Sequence, residues 1–358
     1  MSPVIPMGPY HPALDGPFKI DVTCEGELIS DSDIRVGFQF RGIEWLAERK
    51  TYTQDVALFE RICGICSNVH TLTFSRAVEA IAGLEVPERA QYVRVIVAEA
   101  ERLHSHLLWA AFACELIGFR TLFMTCMELR EVVLDLLESI SGNRVNYAMN
   151  RPGGVNRDIK DMAMVLSTVR AFSARTTGAL IPVLTTDPTV RARCLGVGVL
   201  SHEDAVAYGA VGPVARASGM PQDIRRDAPY EAYSAIEFDV PVLTDGDVLA
   251  RLVARALEIV ESCKIVEQAV EMMPEGELRG ADFPKIPEGE ACARIEGPRG
   301  EVFYYVRSDG SQYPVRVKVR TPTFMTIPTV RRMVVGETMA DLPLIQASVD
   351  PCYSCTDR

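Results

Sequence analysis

The 358-residue sequence has no stretch that could cross a membrane as a helix. A span needs roughly 20 uncharged apolar residues. The longest candidate, Leu107 to Phe119, is shorter and is broken by Glu115. The N-terminus, MSPVIPMGPYHP, lacks a basic region followed by an apolar core, so no secretory signal is expected. The chain is therefore expected in the cytoplasm or on the cytoplasmic side of a larger assembly. Positive charge is in deficit, with 37 Lys and Arg against 48 Asp and Glu, a net charge of −11. That balance argues against nucleic acid or an anionic membrane surface as the main partner. Internal repeats and low-complexity tracts are missing too, which argues against a solenoid.

Hydrophobic residues make up 48% of the chain, ample for a large core. Phe18, Ile20 and Val22 alternate, and after Glu25-Gly26-Glu27 so do Ile34, Val36 and Phe38. This predicts a β-hairpin. From Ile43 to about Gly83 the pattern turns helical. Val93, Ile96, Val97, Ala100, Leu103, Leu107, Ala111 and Cys114 then form a stripe at helical spacing. Pro87 suits the first turn of that helix and Gly118 its stop. Further helices are expected over 125–140, 158–179 and 245–272, the last ended by Pro274. The segment 182–240, rich in Pro, Gly and polar residues, reads as irregular. VFYYVRSDGSQYPVRVKVR predicts a hairpin turning at Asp309-Gly310, followed by a short helix and coil over 329–344. The fold class is α+β and mainly helical, as a single domain over 1–358. A helical body spans about 43–275, a small β region comes from both chain ends (about 17–40 and 291–320), and a C-terminal segment covers 345–358.

Ten cysteines in a cytoplasmic chain of this size point away from a disulfide framework. Cys24, Cys114, Cys126, Cys194, Cys263 and Cys292 are isolated and read as small core residues. The other four form two Cys-x-x-Cys pairs, Cys63/Cys66 in RICGIC and Cys352/Cys355 in DPCYSC. Each pair can place two sulfurs on one metal. Four thiolates select zinc, nickel, copper(I) or iron–sulfur clusters. In structural zinc modules the pairs commonly lie roughly 15–20 residues apart, because the metal staples a local fold. Here they stand at opposite ends of a chain large enough to fold without a staple. Spacing alone leaves structural zinc and a redox metal site both open.

ERICGICSNVH and DPCYSCTDR resemble the two metal-binding signatures of the [NiFe]-hydrogenase large subunit, in the right order and at the right ends. GPYHPALDGP, RGIEWLAERKTY, RAQYVRV, RPGGV and EGPRGEVFYYVRSDG also resemble the quinone-site (49 kDa) subunit of respiratory complex I, which has an Asp-Tyr pair where Cys63-Gly64 stand here. The combination resembles the membrane-bound, energy-converting branch, such as the Ech and CO-induced hydrogenases. The formate-hydrogenlyase type, with its fused N-terminal domain, is expected to fit less well.

The resemblance implies that Cys63 and Cys352 bind nickel terminally, while Cys66 and Cys355 bridge nickel and an iron carrying CO and CN⁻. A terminal thiolate such as Cys352 would also take a proton during H2 cleavage. Asp15, in ALDGP, aligns with the proton-relay glutamate and is one methylene shorter; a turn aspartate before Gly16 is the plain reading. Arg299 matches an arginine over the metal site, against a surface-turn arginine. Pro322 and Thr323, in RTPTF, match the segment that places a hydroxyl toward a cyanide, against a strand-end threonine. His70 matches a histidine near the bridging sulfurs, against a core histidine. Glu44 aligns with a carboxylate that holds Mg²⁺ in many relatives together with a final histidine. Arg358 stands in that histidine's place, which favours a Glu44–Arg358 ion pair. His104 and His106 read as structural or as part of a partner contact, and His11 carries no assigned role. Many relatives lose a C-terminal extension after nickel insertion; this sequence stops at Arg358, where such a cut would fall.

The implied function is reversible 2H⁺ + 2e⁻ ⇌ H2, with an iron–sulfur small subunit, a ferredoxin or polyferredoxin subunit and membrane ion-translocating subunits as partners. The chain would be peripheral, on the cytoplasmic side of the membrane. The competing functions are a quinone-site scaffold and a structural-zinc interaction protein.

Overall fold

The computed structural model describes residues 3–14, 16–280 and 285–358. Strands β1 (Val4–Met7), β2 (Lys19–Glu25) and β3 (Leu28–Arg35) form an antiparallel sheet in that order. Gly26 turns the β2–β3 hairpin at φ 67°, where glycine meets no Cβ penalty. Ile20, Val22 and Cys24 face the core, as their alternation requires. Strand β3 ends at Arg35, so Val36 and Phe38 fall outside it, and Phe38 is exposed. Strand β1 escapes the sequence pattern because Pro6 interrupts it; an edge strand tolerates proline, which leaves no inner ladder bond unmade.

The helical body follows as α1 (Ile43–Ala47), α2 (Tyr52–Glu60), α3 (Ser67–Ala82), α4 (Glu88–Ile117) and α5 (Arg120–Ser141). A two-strand ribbon, β4 (Asn150–Arg151) with β5 (Gly154–Val155), precedes α6 (Met162–Arg175), which runs into a π-helical turn over Thr176–Leu180. The expected irregular segment is instead a string of short helices. These are α7 (Ile181–Thr186), α8 (Pro188–Cys194), α9 (His202–Tyr208), α10 (Gly212–Ala217) and α11 (Ile224–Asp227). Several of the polar residues that read as loop are helix caps. Asp187, Ser201 and Asp223 each accept a first-turn amide. Helix α12 (Val248–Met272) is capped by Asp247.

The second sheet is β6 (Glu288–Gly297), β7 (Gly300–Asp309) and β8 (Arg316–Arg320), antiparallel throughout. The two chain ends thus build two separate sheets rather than one β region. Both hydrophobic stripes demand burial, but each sheet finds its own cover: α3 packs on β6 and β7, and α13 (Pro322–Met333) packs on β3. Helices α14 (Leu342–Ser348) and α15 (Tyr353–Asp357) complete the chain.

Helix α4 is the central pillar. Its expected apolar stripe is buried, but so are Arg94, Glu99, Glu101, Arg102, His104, Ser105 and His106 on its other faces. Burial is tolerated because these groups are paired. Arg94 meets Glu79 and Glu231 at 2.6 and 3.2 Å. Arg102 and Arg225 share Glu99, and Arg216 bridges Glu258 and Glu296 at 2.8 Å each. Through Arg225, and through Arg102 contacts with Glu258 and the Glu296 carbonyl, α4 is tied to α11, α12 and β6, and Arg216 joins α10 to the same network. His104 bonds Tyr147 and His106 bonds Glu258, both inside the core, so neither takes part in a partner contact. Five isolated cysteines are buried as expected. Cys292 is exposed on β6, because its neighbours on that strand alternate inward.

Candidate metal centre

The first cysteine pair is held by the junction between α2 and α3. Cys63 lies in the loop after α2, where the amide of Ile65 points at its sulfur (3.3 Å). Cys66 is the N-cap of α3. The second pair comes from the far end of the chain. Asp350 adopts φ 55°, Cys352 caps α15, and the Cys352 amide donates to Thr323 Oγ1 at 2.9 Å. Arg41 staples the two segments together, donating to the carbonyls of Ile62 (2.7 Å) and Ser354 (2.8 Å). Asp357 does the same from the other end, accepting the amides of Gly37 and Gln39.

The result is one cluster. The four sulfurs of Cys63, Cys66, Cys352 and Cys355 all lie within 4.8 Å of one another and are buried. Cys63 and Cys352 are 3.4 Å apart, Cys66 and Cys355 3.4 Å, and Cys352 and Cys355 2.9 Å. Hydrogen bonds from Cys352, Cys355 and Cys66 push the Cys63 thiol well below its ordinary range. Cys352, together with burial, pushes Cys66 well above it, and burial followed by Cys352 does the same to Cys355. Four such groups cannot all ionise together without a cation between them. The donor set therefore fits a thiophilic metal.

Arg299 stands beside the sulfurs, 7% exposed. It occupies the two-residue turn between β6 and β7. That turn presses on α10: a Cβ on Gly212 would meet the Arg299 carbonyl at 2.4 Å, so the approach requires glycine. The guanidinium is aimed by Asp350, with Nη2 at 2.7 Å from Oδ1 and Nε at 2.8 Å from the carbonyl, and by Ser105 Oγ at 3.4 Å. Next to it is a small cavity, about 10 Å³, walled by Val69, Val302, Pro298 and Pro322, with Arg299, Thr323 and His70 among its polar members and Cys66, Cys352 and Cys355 at its edge. Because Thr323 accepts from the Cys352 amide, its hydroxyl proton is left to donate elsewhere.

His70, one turn into α3, bonds Cys355 Sγ through Nε2 (3.4 Å) and Tyr304 Oη through Nδ1 (2.8 Å). Burial pushes it down to about 4, so the ring is neutral. The tautomer that serves a thiolate carries its proton on Nε2 and accepts from Tyr304. Asp15 lies outside the described residues. Its neighbour Gly16 lies against the Tyr353 ring, where a Cβ would meet Cδ2 at 2.7 Å, and Phe18 stacks on the same ring at 4.8 Å.

Glu44 is 3.0 Å from Arg358 Nε, 2.9 Å from Lys318 Nζ, and accepts the Val319 amide. Burial pushes its pKa up, but these donors prevail and hold it below the ordinary range. Both oxygens face cations. Among the described residues the four cysteines are the only group of three or more ligand side chains close enough for one ion. The site around Glu44 does not fit Mg²⁺.

Three functional neighbours were not visible in sequence reasoning. Arg41 sits in RGIE, whose only marked residue was Glu44. Tyr304 lies at an inward position of β7, and Asp350 precedes Pro351; alternation and the D-P-C spacing were the available signals.

The family model described as "Respiratory-chain NADH dehydrogenase, 49 Kd subunit" matches residues 117–285 and 281–358. The model described as "Nickel-dependent hydrogenase" matches residues 41–111. The carbon monoxide-induced hydrogenase of Rhodospirillum rubrum is 40% identical, with 99% of each chain covered. The membrane-bound hydrogenase subunit alpha of Pyrococcus furiosus is 41% identical, covering 99% of this chain and 87% of that one. A solved chain from the membrane-bound sulfane sulfur reductase, an archaeal respiratory membrane complex, superposes with TM-score 0.94 at 33% identity, covering 100% and 98%.

Proposed function

Since the chain belongs to the energy-converting [NiFe]-hydrogenase large-subunit family, the branch related to the complex I 49 kDa subunit, we propose that it is the catalytic subunit of a membrane-bound hydrogenase. One observation carries this reading. Four buried cysteine sulfurs from the two ends of the chain converge within 4.8 Å, with Arg299 held beside them. A scaffold has no use for such a cluster, and a structural zinc needs no aimed arginine.

A nickel–iron centre with CO and CN⁻ on its iron would supply the two-electron chemistry of H2. The protein's residues have definable tasks around it. Cys63, Cys66, Cys352 and Cys355 would hold its nickel and iron. The Cys352 thiolate would accept a proton from H2 at that centre, and Asp15 would be the group to receive it next. Arg299 offers a fixed positive charge, and the apolar cavity walls exclude water, which strengthens every polar contact inside. Thr323 and Arg299 would supply hydrogen-bond donors to that centre. His70 donates to the Cys355 sulfur and steadies its charge.

Electrons need another subunit, because among the described residues no second cysteine cluster exists to hold iron–sulfur clusters. An iron–sulfur small subunit, passing electrons to or from a ferredoxin or polyferredoxin, meets that need. None of the described helices is long and apolar enough to cross a membrane. Ion translocation then falls to membrane partners, with this chain peripheral on the cytoplasmic side. The extent of the 49 kDa match, residues 117–358, favours a quinone-site scaffold as the second reading. Cys352→Ser separates the two: loss of nickel and of H2 turnover is expected, whereas a variant that keeps both would refute the assignment.

A further inference from the structure

Helix α12 carries two buried arginines that the tasks above do not use. Arg251 and Arg255 stand one turn apart, at i and i+4, and so share one side of the helix. Elsewhere in the core Arg94, Arg102, Arg216 and Arg225 each meet a carboxylate. Among the described residues Arg255 has no such partner. Its Nη1 donates to the Arg251 carbonyl of its own helix (3.0 Å), while Nε and Nη2 find no acceptor. A buried cation in this state costs stability, so its presence calls for a reason.

Direct contacts lead from it to the metal centre. The Arg255 guanidinium lies over the Trp109 ring, 4.3 Å from the centroid. Trp109 Nε1 donates to the Ala347 carbonyl at 2.7 Å, and the same carbonyl accepts the amide of Asp350 at 2.9 Å. One turn back, Arg251 Nε donates to Ser348 Oγ (2.8 Å) while Nη1 and Nη2 hold the carbonyls of Gly246 (2.7 Å) and Gly198 (2.8 Å). Both arginines thus converge on the end of α14. There Asp350 turns off at φ 55°, a backbone region that residues other than glycine rarely adopt. Asp350 Oδ1 and carbonyl aim Arg299, but Oδ2 is buried without a partner. No second side chain therefore fixes that carboxylate, and its place is set through its backbone.

We infer that Arg255 is a positioning residue for the metal centre. Stacked on Trp109, it fixes the indole N–H on the Ala347 carbonyl, and so sets the Asp350 backbone that aims Arg299. The inference rests on the hydrogenase reading given above. A cation over an indole face is the strongest contact of its kind, and more so when desolvated. Burial pushes Arg255 down to about 10, with Asp350 foremost among the charges that oppose it, so it remains a cation at neutral pH.

The test uses Arg255→Met, Arg255→Lys and Trp109→Phe in the purified complex and in the metal-free chain. Trp109→Phe keeps a ring for Arg255 but removes the N–H, and Arg255→Lys keeps a cation over the ring. Arg255→Met and Trp109→Phe should shift the CO/CN⁻ infrared bands. They should also lower H2 oxidation, per nickel bound, by roughly 10- to 100-fold, with Arg255→Lys restoring part of the rate. Added to Arg299→Lys, Arg255→Met should cost little more, because both act through one guanidinium. In the metal-free chain the Tm shifts of Arg255→Met and Asp350→Asn should not add, since the two share the Ala347 carbonyl as their link. Unmoved bands and rate with a lower Tm would make Arg255 a brace of the fold alone and overturn the inference. So would rate losses that multiply with Arg299→Lys, or Tm shifts that add. An unaltered complex without nickel or CO/CN⁻ bands would overturn the hydrogenase reading instead, and the metal-free cycle would still decide whether Arg255 sets Asp350.

Discussion

Arg299 and Asp350 provide a prediction whose size follows from the structure. The two side chains meet at 2.7 Å, are 7% and 6% exposed, and Asp350 also offers its carbonyl to Arg299 Nε. Removing one partner of such a pair leaves an uncompensated buried charge, at a cost of about 3–5 kcal/mol. For a chain of this length, unfolding entropy near 2 cal/mol/K per residue converts that to a fall in Tm of roughly 4–7 °C. Asp350→Asn is the variant of choice, because asparagine tolerates the left-handed backbone at this position. Thermal unfolding of the metal-free chain should show that drop for Arg299→Leu and for Asp350→Asn. The double variant should lose much less than their sum, since neither charge is then stranded. In the loaded complex Arg299→Lys keeps the charge but not the fork, and kcat should fall by about 10²–10³. Additive losses in the double variant, or an unaltered rate in Arg299→Lys, would refute the claim that Asp350 aims Arg299 at the centre.

Two further predictions concern other carboxylates. Asp55 is fully buried, neither of its oxygens finds a partner, and burial pushes it up from 3.8 to about 8 despite Lys50. The folded state therefore holds a proton that the unfolded chain releases. Stability is greatest below the unfolded value and declines as pH rises toward 8, by up to a few kcal/mol. Asp55→Asn should raise Tm strongly at pH 9 and hardly at pH 4; a gain independent of pH would contradict this. Glu44→Gln removes the anchor of Arg358 and Lys318, so nickel retention on gel filtration should decrease. Full retention would show that the ion pair has no part in closing the site.

Much of the fold was legible because burial imposes period. The stripe on α4, the alternation of Ile20 and Val22 and the caps at Pro87 and Gly118 each follow from packing or from backbone geometry. The short helices between 181 and 227 were not legible. Residues such as Asp187 and Ser201 favour turns and N-caps alike, and only tertiary packing decides between them. The buried charges of α4 were hidden for a related reason. Arg102, Glu99 and Arg216 look like solvent-facing residues until their partners, up to about two hundred positions away, are in place. At the site, the four cysteines announced themselves by spacing, whereas Arg41 and Tyr304 act through backbone carbonyls and a ring nitrogen, contacts that no local pattern encodes.

The central claim is that the cysteine cluster holds a nickel–iron centre. Elemental analysis together with infrared spectroscopy of the purified complex tests it most directly. The account predicts nickel and iron with absorption in the CO and CN⁻ stretching region. Zinc in place of nickel, without those bands, would contradict it.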